Sequence, residues 1–170
     1  QDIIASYRLA RQGSVKSPDQ VEYELHWEGN CIKLFEAINS RTYQPTAYSF
    51  IVTDPKPREI FASDFSTRIL HHYLHERIVP MLDKRLSKHT FNNRKGMGTS
   101  ACQNSVISDM YEVSNGYTED AWIIKLDLHG CFPNIIQDIA FRQLEAVIKE
   151  DYHGRDKDDM LYILRTCVFS

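Results

Sequence analysis

An α+β chain, rich in helix and with one short antiparallel hairpin, is what the sequence predicts, and three observations carry that expectation. Apolar residues recur at helical spacing in several stretches. Two short runs of β-branched and aromatic residues flank Asp54-Pro55-Lys56-Pro57. Between Ala121 and Asp127, Trp122, Ile124 and Leu126 alternate with Ile123, Lys125 and Asp127, the period of a strand.

The elements follow in order. Ser17-Pro18-Asp19-Gln20 reads as a capping box with Pro at the first helical position. Val21, Leu25, Ile32 and Phe35 continue a helix to about Asn39, with an interruption expected at Gly29-Asn30. A Tyr43-x-Pro45 connector leads into two strands, 48–53 and 58–62, whose linking prolines fix φ and suit a turn, with Lys56 at its tip. Ser63-Asp64 caps a helix carrying Phe65, Ile69, Tyr73 and Leu74 that should end near Pro80, with a shorter helical piece to about Ser87.

Residues 91–99 form a loop by composition. Thr99 then caps a helix through Ala101, Val106, Met110 and Tyr111 that stops at Asn115-Gly116. After the 121–127 strand, Phe141, Leu144 and Val147 mark one amphipathic helix, and Leu161, Leu164 and Val168 another. The acidic residues of 138–170 are expected on helical, solvent-facing runs.

Bulk properties set the outer limits. With 170 residues, 42% of them hydrophobic and 25% charged, the chain can build one core. No run of about 18 apolar residues occurs and Gln1 to Ser6 lacks a signal-peptide pattern, so the expectation is a cytoplasmic protein without membrane contact. Cys31, Cys102, Cys131 and Cys167 have neither zinc-site nor disulfide-scaffold spacing, and are expected as reduced, mostly buried thiols. His71 and His75 lie one helical turn apart, but no Glu stands between them in metalloprotease register and no third ligand is evident, which argues against zinc.

A net charge of −3 speaks against a uniformly basic surface for phosphate. Its distribution is less even. Lys84, Arg85, Lys88, Arg94 and Lys95 fall within one acid-free stretch, whereas 151–159 is Asp-rich.

Four segments stand in a recognisable order: Lys56-Pro57-Arg58-Glu59-Ile60-Phe61; Arg68 with the His-rich Leu70 to His75; Asn93-Arg94-Lys95-Gly96-Met97-Gly98-Thr99; and Asp127-Leu128-His129-Gly130-Cys131-Phe132-Pro133-Asn134-Ile135. Together they resemble reverse transcriptases of the bacterial type related to group II intron maturases, retrons and diversity-generating retroelements, over about residues 43–170. The resemblance implies the fingers and partial palm of a right-hand polymerase: an N-terminal helical extension (1–47), fingers (48–120) and the first part of the palm (121–170). It implies an RNA-directed DNA polymerase that adds deoxynucleotides to a DNA primer on an RNA template, with Mg²⁺, or Mn²⁺ in its place, as cofactor.

Residue by residue, the same resemblance makes Asp127 the catalytic metal ligand, joined by the backbone carbonyl of Leu128. Hard Mg²⁺ takes oxygen donors of this kind. It places the amides of Gly130 and Cys131 on phosphate oxygens and the ring of Phe132 against the sugar, where it would exclude a 2′-hydroxyl. Lys56 and Arg58 would fold over the incoming nucleotide, and Arg68, Arg94, Lys95 and Gly96 would face template or other nucleic acid. Taken singly, Asp127 could merely end a strand, Phe132 could be a core ring after a turn, Lys56 and Arg58 could be solvated hairpin cations, and 93–99 could be an ordinary surface loop.

Relatives continue into an Asp-Asp hairpin and a thumb that are not found before Ser170. The chain is therefore expected to be an excised fragment, inactive alone. Cys131 and His129 depart from the commoner pattern and leave the subfamily open. Two alternatives remain. One is a polymerase-derived RNA-binding or maturase-like module without polymerisation. The other, a helical interaction domain, requires all four matches to be accidental.

Overall fold

The computed structural model describes residues 2–13 and 15–169. They form two compact units, residues 1–81 with 136–170, and residues 82–135. The α+β expectation holds: the chain is mostly helix, with one two-stranded antiparallel sheet.

The first unit contains α1 (Asp2–Ala10), α2 (Pro18–Leu25), α3 (Trp27–Asn39), β1 (Ala47–Val52), β2 (Arg58–Ser63), the bulk of α4 (Phe65–Asp83), α6 (Gln137–Asp151) and α7 (Lys157–Val168), α5 being reserved for the helix of the second unit. Its core draws on distant parts of the sequence. Its buried apolar residues are Ile3 and Tyr7 of α1, Cys31, Leu34 and Ile38 of α3, the α4 stripe Phe65, Ile69, Leu70, Tyr73, Leu74 and Ile78, and Ile148, Met160, Ile163 and Leu164 from the C-terminal pair, among others. Aromatic rings knit its N-terminal end: Tyr7 stacks on Trp27 at 5.3 Å, and Phe65 meets Tyr23 edge-on at 5.2 Å.

Three local expectations change. Ser17 is the N-cap of α2, but its hydroxyl makes no cap bond; it accepts from Arg68 Nη2 at 2.6 Å, so the capping box does not form. The helix breaks at His26 (φ −131°, ψ 37°) rather than at Gly29-Asn30. Asn30 instead serves the break, its Nδ2 donating at 3.0 Å to the Tyr23 carbonyl, which also accepts from the His26 N–H at 3.3 Å where α2 ends. Finally, α4 runs through Pro80 to Asp83, because Ile78 and Met81 are buried on either side and Pro80 removes only one bond of the last turn.

Of the acids expected on solvated runs in the C-terminal region, Asp138, Glu150 and Asp158 are exposed, but Asp156 anchors a partly buried polar network. Asp156 accepts from Tyr73 Oη at 2.6 Å, Tyr152 Oη at 2.6 Å and Arg77 Nε at 3.2 Å. Arg77 also reaches Asp2 at 3.1 Å and lies 3.8 Å from the centre of the Tyr73 ring. The Asp156 carboxylate thus ties α4 to the α6–α7 pair, and Arg77 carries the link on to Asp2 of α1. Burial pulls the Asp156 carboxyl upward, but the Tyr152 and Tyr73 hydroxyls and the Arg77 charge outweigh it and hold it below the ordinary value.

The hairpin pairs Tyr48 with Ala62, Phe50 with Ile60 and Val52 with Arg58. Its base is fixed by Asp64 N–H donating to the Thr46 carbonyl at 3.0 Å. Tyr43, the aromatic of the Tyr-x-Pro connector, shares hydrogen bonds with Ser66 at 2.8 Å and Thr67 at 2.7 Å. Asp64 caps α4 through the Thr67 amide at 2.9 Å, as the sequence suggests.

The second unit holds α5 (Thr99–Val113) and a 3-10 turn at Phe132–Asn134. The expected helical piece after α4 is absent; 84–98 is irregular. Gly98 rather than Thr99 is the N-cap of α5. The helix ends on Asn115, Gly116 and Tyr117, all at positive φ, with Tyr117 N–H donating to Ser114 Oγ at 2.9 Å.

The expected strand at 121–127 does not form. These residues have no regular structure and are exposed, Trp122 by 91% and Leu126 by 88%. A strand is completed by a neighbour's hydrogen bonds. Among the described residues, the only strand pairing is that of β1 with β2. The cysteines also differ from expectation: Cys31 is buried, Cys102 and Cys167 are half-buried, and Cys131 is exposed.

Candidate active site

Asp127 stands at the end of the irregular 121–128 segment, exposed, with Oδ1 accepting from its neighbour Leu128 N–H at 2.9 Å. From there the chain turns back sharply. Gly130 takes φ +58°, and Asn134 closes the turn by donating both its backbone N–H (3.2 Å) and its Nδ2 (2.8 Å) to the Gly130 carbonyl. A Cβ at 130 would lie 3.0 Å from that Nδ2, so both the dihedral and the crowding call for glycine.

Asp127 and Leu128 lie directly before this turn, while the Gly130 and Cys131 backbone and Phe132, which is 83% exposed, lie within the 130–134 loop that Asn134 closes. A free carboxylate, a nearby carbonyl and an unburied ring are chemically suited to an oxygen-preferring cation and a nucleotide sugar. Among the described residues, no group of three or more His, Cys, Asp or Glu side chains is placed to hold an ion, so Asp127 and Leu128 do not by themselves make up a metal site.

Arg94, Lys95 and Gly96 belong to the same unit. Arg94 is committed locally: its Nε donates to Asp83 at 3.0 Å, and Nη1 to the carbonyls of Ser87 (3.0 Å) and Thr90 (3.2 Å). With its side chain 17% exposed, it folds the basic 84–95 stretch around itself. Lys95 is exposed beside it, and Gly96 takes φ +78°. His89 extends the local order to α5, near Ser105 at 3.3 Å and Asp109 at 3.6 Å.

The other predicted site residues lie in the first unit. Lys56 and Arg58 are exposed at the tip and foot of the hairpin turn. Arg68 sits against α2, donating to Ser17 at 2.6 Å and approaching Asp19 at 3.3 Å. Burial raises the Asp19 carboxyl, but Ser17 and the Arg68 charge prevail and leave it below the usual range.

The same unit contains an open cleft of about 440 Å³ that sequence reasoning did not find. It is lined by Asp19, Glu22, Tyr23, Lys33, Tyr43 and Asp64 among others, and its acidic balance suits a phosphate poorly. No sequence signal could have found it, because its walls come from α2, α3 and the start of α4. Among the described residues, no helix is long and apolar enough to cross a membrane.

Comparison with known proteins gives one coarse placement. No protein-family profile matches the chain. It is similar to a Saccharomyces cerevisiae protein ascribed to intron 1 of COX1/OXI3, at 27% identity over 104 residues, which make up 59% of this chain and 12% of that protein. The chain therefore resembles a piece of an intron protein, and spans about an eighth of that relative's length.

Proposed function

We propose that this chain supplies the fingers and the first metal-binding turn of an RNA-directed DNA polymerase of the mobile-intron type. The observation that carries the reading is the Asp127 to Asn134 turn, which presents one exposed carboxylate bonded only to its neighbour's amide, an adjacent carbonyl and an exposed Phe132 ring on a glycine-dependent loop. The similarity to an intron 1 protein supports the same direction.

In this reading, Asp127 and the Leu128 carbonyl contribute to holding Mg²⁺, or Mn²⁺, which when bound would neutralise triphosphate charge and activate the primer hydroxyl. Phe132 stands against the sugar, and the Gly130 and Cys131 amides meet phosphate oxygens. Lys56 and Arg58 bind the incoming deoxynucleotide, while Lys95 and Gly96, on a loop ordered by Arg94, face the RNA template. Arg68 acts through the α2–α4 junction that carries the hairpin. The partners are an RNA template, a DNA primer and deoxynucleoside triphosphates.

The test is primer extension on an RNA template with Mg²⁺ by the intact gene product, beside Asp127→Ala and the 170-residue chain. Extension by the intact protein alone supports the reading. Intron kinship also favours a second reading, an RNA-binding, maturase-like module without polymerisation. Tight RNA binding by an intact protein that extends nothing would select it and withdraw the catalytic roles.

A further inference from the structure

Apolar rings on the surface of a two-stranded ribbon need an explanation, because a hairpin buries little by itself. Pairing of Tyr48 with Ala62, Phe50 with Ile60 and Val52 with Arg58 puts these six residues on one face, since side chains alternate along each strand. Ser49 with Phe61 and Ile51 with Glu59 belong to the other.

The two faces differ in chemistry. On the first, the Tyr48 and Phe50 rings lie 6.2 Å apart and tilted by 31°, opposite Ala62 and Ile60, which do not cover them; they are 46% and 45% exposed. The one charge on that face is the Arg58 guanidinium, with Lys56 at the tip beyond it. The second face carries Ile51 and Phe61 beside the carboxylate of Glu59. Charge is thus sorted by face: the Tyr48–Phe50 ring pair keeps company with a cation, the Ile51–Phe61 patch, with its single ring, with an acid.

Paired rings beside a cation are what unpaired bases recognise, each base having a π-face to stack and a phosphate to pair. Arg58 adds a planar group that can serve a phosphate or lie on a base. We propose that the Tyr48–Phe50–Arg58 face is a stacking platform for unpaired bases of a single-stranded RNA. This rests on the RNA-directed reading and adds to it: Arg58, assigned above to the nucleotide, borders a surface that takes template bases.

The experiment is fluorescence anisotropy with a short labelled oligouridylate and an abasic oligonucleotide of equal length and charge, titrated with the intact gene product. The wild type should bind the base-bearing strand more tightly. Tyr48→Ala and Phe50→Ala should each weaken that binding by roughly 5- to 100-fold. Tyr48→Phe should retain it, and the abasic strand should be indifferent to all three. Ile51→Ala and Phe61→Ala, on the opposite face, should change neither affinity.

Because the rings are surface groups, circular dichroism should find every variant folded, and cross-linking of 4-thiouridine RNA to Tyr48 or Phe50 gives a readout without substitution. If the wild type binds RNA but the preference for bases survives both ring substitutions, the platform is wrong and the polymerase reading stands. Equal losses from Ile51→Ala or Phe61→Ala overturn it as well, pointing to a general effect of the hairpin. Absence of RNA binding by the wild type defeats both.

Discussion

Residues 1–81 with 136–170 and residues 82–135 solve the problem of staying ordered by different means. In the first unit, helices separated by long stretches of sequence bury Ile69, Leu70, Ile148 and Met160 completely. In the second, α5 has no buried residue and only Ser114 is shielded from solvent, while Ile107, Trp122, Ile124 and Leu126 stand exposed. Its order is local and polar: Arg94 on Asp83 and two carbonyls, Asn134 on Gly130, Ser114 on the end of α5. Bonds of this kind contribute about 1 kcal/mol each, against about 2–5 for a buried aliphatic side chain. The Asp127–Asn134 turn thus sits in the part of the molecule that yields most easily, as is common for elements that act on ligands.

Four measurements would sharpen or break that contrast. Asp127→Ala should abolish primer extension by the intact protein without moving its melting temperature, because the carboxylate is exposed and bonds only to its neighbour. A parallel loss of fold would mean that the second unit is structural after all. Next in size, Ile148→Ala should cost about 2–5 kcal/mol in urea unfolding, whereas Ile124→Ala should change stability by less than about 0.5 kcal/mol. Equal costs would show that 121–127 is buried in solution.

Asp156→Asn should cost about 1–2 kcal/mol, since it weakens three hydrogen bonds at a partly buried site. The pH dependence has a definite sign. The folded carboxyl lies below the ordinary aspartate value, so its contribution is present above that value and disappears as pH falls through the lower folded one. The stability difference between wild type and variant, read from unfolding curves, should therefore shrink as the pH is taken down from neutral. The smallest effect separates two adjacent cations. Lys95→Gln should reduce the salt dependence of RNA binding by about one phosphate contact. Arg94→Gln should instead raise amide exchange across 84–95, because its guanidinium already serves Asp83, Ser87 and Thr90.

Legibility followed the same division. Helices α4 to α7 and the hairpin were readable because apolar period, a capping Asp64 and turn prolines are local signals. Failures came where a distant residue takes over a local group. Ser17 looks like a cap until Arg68, 51 residues on, claims its hydroxyl. Asp156 looks like one acid of a solvated run until Tyr73 and Arg77 converge on it. Trp122 to Leu126 has the alternation of a strand, but alternation says which faces a strand would have and not whether a neighbour is there to pair. At the candidate site, the turn around Gly130 was legible in its residues, while the closing role of Asn134 and the inward commitment of Arg94 depend on side-chain directions that spacing does not encode.

The discontinuity of the first unit also sets an order of events during synthesis. The Tyr73–Arg77 side of α4 is made early and cannot meet Asp156 until the intervening 82–135 has followed it. At a ribosomal speed of roughly 5–20 residues per second, that side of α4 waits on the order of 5–15 s for its C-terminal partner.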